Sequence, residues 1–104
     1  MENKTKAQTF IGCAIRARKC KIGTNAVLTL KKANLVIVCH TASQNTKEEA
    51  EKMAKKFHCP LLETISATLE EITHKENAKV MAIADRQLSQ AILDNSENDF
   101  NVRN

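Results

Sequence analysis

The sequence has no tryptophan and no tyrosine, and only three of its 104 residues are phenylalanine. So few aromatic side chains argue against a protein that stacks the successive bases of a single strand on aromatic rings. Only two glycines, Gly12 and Gly23, are present, and they cannot form a glycine-rich phosphate-binding loop. The serine elbow of hydrolases and the paired histidines of zinc proteases are also missing. The sequence therefore predicts no enzyme activity and no cofactor.

The four cysteines, Cys13, Cys20, Cys39 and Cys59, form no C-x-x-C pair. The start of the chain, MENKTKAQT, is polar and does not resemble a signal peptide. We therefore expect reduced thiols that are buried or half-buried. The longest apolar run, residues 35–39, is far too short to span a bilayer. A cytoplasmic location without membrane contact is the resulting expectation.

Two cysteines have a histidine as their neighbour, in Cys39-His40 and His58-Cys59. These pairs suggest either a metal site or thiol catalysis. Zinc, however, needs four ligands at a workable spacing, and neighbouring side chains on a strand point to opposite faces. A core cysteine beside an exposed histidine is the favoured interpretation of both pairs. The sequence predicts no metal site, and an enzyme using Cys39 or Cys59 is the weakest of the hypotheses.

Positive charge is concentrated at one end of the chain. Residues 1–32 contain eight lysines and arginines against Glu2 alone, a local balance of +7. Residues 33–104 contain eight cations against eleven acidic residues, a balance of −3. A positive field at one end suits a polyanionic partner such as a nucleic acid. The alternative is a solubilising surface with no specific partner.

Apolar spacing predicts helices that alternate with strands. The predicted helices cover residues 5–19, about 25–33, 46–57 and 67–74, and a last helix that follows Asp85. Thr46 with Glu49 fits a capping box at the start of the third helix. Strands are predicted at residues 35–39, 61–65 and 79–84. The uninterrupted apolar run of residues 35–39 is typical of a strand that is covered on both faces.

This alternation predicts an α/β sandwich, with a parallel or mixed sheet and helices on both faces. A chain of 104 residues is expected to form one domain, which we assign to residues 1–94. Residues 95–104, NSENDFNVRN, are polar and are predicted to be a disordered tail.

The segment RARKCKIGTNAV, residues 16–27, joins a basic run to the expected start of the second helix. Lys19 and Lys21 flank a Gly-Thr-Asn turn over residues 23–25. A helix start offers free backbone N–H groups to a phosphate, and asparagine can both donate to and accept from a base edge. Lys31 and Lys32 would close the same region if the helix is short. The alternative is a simple cap surrounded by solvated lysines.

Three stretches, taken in order, are similar to one known family. They are FIGCAIRARKCKIG (10–23), LVIVCHTASQNT (35–46) and KVMAIAD (79–85). They resemble the opening helix, the central strand with its small polar turn, and the last strand of the bacterial YlxQ-like proteins. The match spans about residues 8–94. These proteins belong to the kink-turn-binding ribosomal protein superfamily of the L-seven-Ae and L-thirty-e type.

The resemblance implies a three-layer α-β-α sandwich around a mixed, about four-stranded sheet, with one strand near residues 20–23. It implies non-catalytic binding of RNA, typically of kink-turns with tandem sheared G·A pairs, by a monomeric protein of the ribosome or another ribonucleoprotein particle. In the family, a Gly-x-Asn-Glu segment at the start of the second helix contacts the RNA. The candidate RNA-binding residues are Lys19, Lys21, Gly23, Thr24, Asn25, Lys31 and Lys32.

The sequence departs from the family pattern at three positions. Ala26 replaces the glutamate of the motif, which removes an acceptor for a base amino group. The usual lysine of the motif is missing at Thr29, and Glu70 stands where many members have glycine. A protein–protein module on the same scaffold is therefore the alternative function. Its candidate contact residues are acidic: Glu48, Glu49, Glu51, Glu70 and Glu71.

Overall fold

The computed structural model describes residues 5–103 of the chain. Residues 1–4 of the predicted domain and residue 104 of the predicted tail lie outside this range. The helices are α1 (Lys6–Arg16), α2 (Thr24–Leu28), α3 (Gln44–Phe57), α4 (Leu69–Thr73) and α5 (Arg86–Asp94). The strands are β1 (Cys20–Ile22), β2 (Leu35–Val38), β3 (Leu61–Thr64), β4 (Val80–Ile83) and β5 (Phe100–Val102).

The five strands form one sheet in the order β1-β4-β2-β3-β5. β2 and β3 are parallel, whereas the other three pairs are antiparallel. The sheet is therefore mixed, as predicted. Four of its strands are the predicted ones, and β5 is an additional strand at one edge.

Different helices cover the two faces of the sheet, which confirms the α/β sandwich. On one face, α1, α4 and α5 pack against the strands through Ile11, Leu69 and Ile92. On the other face, α2 and α3 bury Val27 and Met53. All four residues of β2 and all four of β4 are buried. Their uninterrupted apolar sequences follow from this burial, because neither face of these strands meets water.

The prediction of a disordered tail over residues 95–104 is wrong, because residues 100–102 form β5 and pair with β3. Phe100 is the one large apolar residue in this polar segment that is buried, so it anchors the strand. The Arg103 N–H donates to the Leu61 carbonyl at 2.8 Å. The Arg103 guanidinium also pairs with Glu51 and Glu63. Pairing with β3 satisfies strand-edge groups that would otherwise be left to solvent.

Two predicted helix boundaries were wrong for local reasons. The second helix ends at Leu28, well before residue 33, and the third helix begins at Gln44, two residues earlier than predicted. Ser43, not Thr46, caps the third helix, since its hydroxyl accepts from the Thr46 N–H at 3.2 Å. A capping box is present instead at the start of α4, formed by Thr68 and Glu71.

The start of the last helix was predicted correctly. The Asp85 carboxylate accepts from the Leu88 N–H at 2.8 Å and so caps α5. Between residues 5 and 103, no helix combines the length and the apolar character needed to cross a membrane.

Candidate nucleic-acid interface

β1 forms one edge of the sheet, and its only strand partner in the described chain is β4. Cys20 and Ile22 lie opposite Ile83 and Met81, so their side chains join the core under α1. Lys21 points to the other face, because successive side chains of a strand alternate, and it is exposed. The sequence CKI thus places one lysine on the solvent side of an otherwise half-buried edge strand.

Gly23 connects β1 directly to α2. Its N–H donates to the Val80 carbonyl at 2.7 Å, and its carbonyl accepts from the Val27 N–H at 2.9 Å. Its φ of 100° and ψ of 147° lie in a region that residues with a Cβ rarely adopt. The glycine therefore allows the chain to leave the sheet and enter the helix in a single residue.

The start of α2 faces solvent without a side-chain cap. Thr24 is half-buried and Asn25 is exposed. The Asn25 side chain forms no hydrogen bond with any residue of the described range, so both its donor and its acceptor are available to a ligand. The prediction of an accessible asparagine at this turn agrees with the structure, while its role in binding stays a prediction.

The short α2 separates the predicted lysines from this turn. The Thr29 hydroxyl donates to the Ala26 carbonyl at 2.6 Å, which ends the helix. The chain then runs to Asn34, whose N–H donates to the Ile83 carbonyl at 2.8 Å. Lys31 and Lys32 precede Asn34 and so lie toward the opposite end of β4 from Gly23. The role of these two lysines beside the Gly-Thr-Asn turn stays a prediction.

Lys19 also lies at the amino end of β1, where its carbonyl accepts from the Ala84 N–H at 2.7 Å. Five of the seven predicted residues lie in β1 or within three residues of it, whereas Lys31 and Lys32 lie in the segment that precedes β2. Gly23, Thr24 and Asn25 lie at the carboxyl end of the strand, and Lys21 lies in its middle. All four predicted lysines are exposed: Lys19, Lys21, Lys31 and Lys32.

A groove follows the outer side of β1, and we call it the β1 groove. Its apolar lining comes from α1, β1 and α2, and its cations come from three different segments. The lining residues are Ile15, Arg18, Cys20, Lys21, Ile22, Ala26 and Lys75. Ala26, which replaces the family glutamate, is thus part of the groove.

Arg18 and Lys75 are the groove residues that the sequence prediction missed. Arg18 belongs to the visible basic run RARK, but the predicted set began at Lys19. Lys75 comes from the loop between α4 and β4, some fifty residues away in the sequence. Only the position of β4 beside β1 brings this loop to the groove. No residue pattern in the sequence pointed to Lys75.

The loop that carries Lys75 is closed by an ion pair. Glu70, in the first turn of α4, lies 2.8 Å from the Lys79 ammonium at the end of the loop. The Lys79 Nζ also donates to the Thr41 hydroxyl at 3.0 Å. The hydrogen bond between Glu70 and Lys79 lowers the pKa of Glu70 and raises the pKa of Lys79. His74, exposed at the end of α4, adopts a left-handed conformation. Glu70, where many family members have glycine, thus helps to define the loop.

The cations of this edge have no acidic partner. No acidic residue occurs between Glu2 and Glu48 in the sequence. None of the lysines and arginines between residues 5 and 32 forms an ion pair with another described residue, and Lys75 forms none either. Burial raises the pKa of the Cys20 thiol, and the Lys21 and Lys75 ammonium groups oppose that rise. The edge therefore keeps a positive field that nothing in the described chain neutralises.

Most of the acidic residues of the alternative protein–protein surface are already engaged. Glu49 lies 3.9 Å from the Lys52 ammonium, and Glu51 lies 2.6 Å from Arg103. Glu70 pairs with Lys79, and Glu71 accepts from Thr68 in the capping box. Only Glu48 of this set is exposed and free of such contacts within the described range.

The two Cys-His pairs lie in different surroundings. Cys39 is buried, and although burial alone would raise its pKa, hydrogen bonds from Thr41 and from the Leu69 N–H lower it. His40 is half-buried, and its Nδ1 lies 2.7 Å from the Thr64 hydroxyl. His58 is exposed beside buried Cys59, as predicted, and burial raises the pKa of that thiol to about 11. Across residues 5–103, no three His, Cys, Asp or Glu side chains are grouped as a metal site would require.

Comparison with known proteins identifies relatives of this chain. No family model matches it. The RNA-binding protein YlxQ of Enterococcus faecium is 35% identical over 88 residues, which cover 80% of this chain and 84% of that protein. A solved structure of a Bacillus halodurans protein with unknown function has a TM-score of 0.72 at 22% identity. It covers 88% of this chain and 96% of its own. The second similarity supports the fold alone.

Proposed function

Since the chain belongs to the YlxQ family of the kink-turn-binding ribosomal protein superfamily, we propose that it binds RNA along the β1 edge without catalysing a reaction. One observation carries this proposal. Arg18, Lys21 and Lys75 line a single groove and have no acidic partner in the described chain. RNA is the polyanion that the relative's name identifies, and unpaired cations are the main source of affinity for its phosphates.

The residues of the edge divide into two roles under this proposal. Lysines and arginines bind phosphates, which positions the RNA but reads little of its sequence. Asn25 reads a base edge, because its free amide can donate and accept at once. Gly23 keeps the backbone turn that presents Asn25, and Thr24 lies between them. This assignment matches the family's Gly-x-Asn segment at the start of the second helix.

The preferred RNA in this proposal is a kink-turn with tandem sheared G·A pairs, as in the family. Ala26 lacks the carboxylate acceptor that the family glutamate offers to a base amino group. We therefore expect weaker discrimination between a kink-turn and a plain duplex than a glutamate-bearing relative would have. Overall affinity suffers less, because most of it comes from the phosphate contacts.

Lys19, Lys31 and Lys32 extend the proposed interface toward the amino end of β1. The four residue steps from Lys19 to Gly23 span about 13 Å at the usual strand rise of about 3.3 Å per residue. This length corresponds to about two nucleotides of an RNA backbone. We propose that these lysines contact the stem that flanks the kink, while the turn contacts the kink itself.

The proposal includes a cellular setting, namely a monomer in the cytoplasm that associates with ribosomal or other ribonucleoprotein particles. The protein–protein alternative is less favoured, because most of the acidic residues of its surface already form ion pairs within the chain. Co-sedimentation with particles that disappears after ribonuclease treatment would support the RNA proposal. Co-sedimentation that resists ribonuclease would support the alternative.

The decisive experiment is a titration of labelled kink-turn RNA against a duplex of equal length, at 50 and 200 mM salt. If about four phosphates are neutralised, the log–log slope is about −2.8 to −3.6. Affinity should then fall about 50- to 150-fold between the two salt concentrations, with the kink-turn bound more tightly at both. Absence of binding, or an affinity that salt does not change, would refute the proposal.

A further inference from the structure

Arg18 ends α1 in a backbone conformation that suits glycine. Its φ is 58°, in the left-handed region, where the Cβ of an ordinary residue is crowded. The Arg18 N–H donates to the Ile15 carbonyl at 3.1 Å, and the Lys19 N–H donates to the Ala14 carbonyl at 2.9 Å. This pair of hydrogen bonds is the common helix ending in which glycine is the usual residue. Arg18 therefore occupies a position at which a glycine would be less strained.

The Arg18 side chain forms no polar contact with the described residues that would offset this backbone strain. It is exposed, and its guanidinium forms no hydrogen bond or ion pair with any residue from 5 to 103. Arg16, two residues earlier, differs because it donates to the Cys13 sulfur at 3.5 Å. What Arg18 does contact is the β1 groove, where it lies with Lys21 and Lys75.

We infer that Arg18 is a phosphate-binding residue of the β1 groove, and that this role explains an arginine at a left-handed helix end. The inference rests on the proposed function and adds a binding residue to it. A guanidinium suits this task, because its planar fork donates two hydrogen bonds to one phosphate. Lys21 and Lys75 act as point charges beside it.

The test uses Arg18→Gly in the full-length protein, with His58→Gly as the matched control. His58 also has a left-handed backbone, with a φ of 53°, and it ends α3 before β3, three strands away from β1. Both changes relieve the same kind of strain, so each should raise the thermal midpoint by about 2–6 °C. Only Arg18→Gly should weaken binding of kink-turn RNA, by about five- to tenfold at 100 mM salt.

Two further readouts separate a phosphate contact from an indirect effect. Arg18→Gly should make the salt slope shallower by about 0.7 to 0.9, the value of one phosphate contact. Arg18→Lys keeps the charge but loses the fork, so it should keep the slope and lose about two- to threefold in affinity.

The outcomes distinguish this inference from the function on which it rests. Wild-type protein that binds RNA, with an Arg18→Gly variant of equal affinity and slope, would refute the role of Arg18 and leave the function intact. An Arg18→Gly variant that is less stable than wild type would show that the arginine serves the fold, and would also refute the inference. Wild-type protein that binds no RNA would refute both.

Discussion

The two glycines of the chain lie in opposite environments, so replacing each with alanine should change stability in opposite directions. Gly12 lies within α1, where a Cβ would meet only the Arg16 Nη1 atom at 3.8 Å. Gly23 has a φ of 100°, and a Cβ there would meet nothing within 4 Å. Alanine at Gly23 would also keep the hydrogen bond from the backbone N–H to Val80. The cost at Gly23 is therefore backbone strain alone, without a steric clash.

The expected magnitudes follow from these environments. A residue with a Cβ in the Gly23 conformation costs about 1–3 kcal/mol. Alanine recovers about 0.4–1 kcal/mol by restricting the unfolded chain. Gly23→Ala should therefore lower the free energy of unfolding by about 1–2 kcal/mol. Gly12→Ala should raise it by about 1 kcal/mol, the usual difference between glycine and alanine inside a helix.

Urea denaturation followed by far-UV circular dichroism measures both changes, since the chain has no tryptophan for fluorescence. The denaturant slope should stay the same, because neither change alters the surface exposed on unfolding. The two variants should differ by about 2–3 kcal/mol, and their thermal midpoints by about 8–24 °C. A Gly23→Ala variant as stable as wild type, or two variants that shift in the same direction, would refute the reasoning.

Four other changes test the interface and the β5 edge. Asn25→Ala should reduce the preference for kink-turn RNA over a duplex by about fivefold, the value of one hydrogen bond, whereas Lys21→Ala should weaken both RNAs equally. Ala26→Glu should increase that preference, because it restores the acceptor for a base amino group. It should also weaken duplex binding, because a carboxylate would then lie among the groove cations, and the same titrations measure both effects. Glu63→Gln should lower the free energy of unfolding by roughly 1 kcal/mol at pH 7, measured by urea denaturation, because it removes one of the two carboxylates that pair with Arg103.

The Glu63 prediction has a defined pH dependence. Burial alone would raise the pKa of Glu63, but the Arg103 hydrogen bond and the Lys47 ammonium lower it overall. A lowered pKa in the folded state stabilises the fold above the unfolded value of about 4.3. That stability is lost as the pH falls through the folded pKa. The difference between wild type and Glu63→Gln should therefore shrink below about pH 4, and a difference that persists at pH 2 would contradict this account.

Equal losses for the two RNAs in Asn25→Ala would mean that the turn is only a helix start. A larger kink-turn preference in Lys21→Ala than in wild type would mean that this lysine reads structure as well as charge. An Ala26→Glu variant whose duplex affinity is unchanged would mean that the groove cations do not contact the RNA.

Much of this protein follows from local patterns in its amino-acid sequence. The apolar runs of β2 and β4 predict strands buried on both faces, because a strand that meets water on one side would alternate. Asp85 predicts the start of α5, since its carboxylate can accept from a free N–H of the first turn. The excess of cations before residue 33 predicts a positive surface, because Glu2 is the single acidic residue in that part of the chain.

Tertiary structure decided which distant residues meet. Lys75 lies in the β1 groove because β4 pairs with β1. The polar segment around Phe100 forms a strand because it pairs with the edge of β3. Local patterns cannot predict such contacts, since each depends on the pairing of strands that are far apart in the sequence. The positive charge is therefore a property of the chain, and the groove that gathers it is a property of the fold.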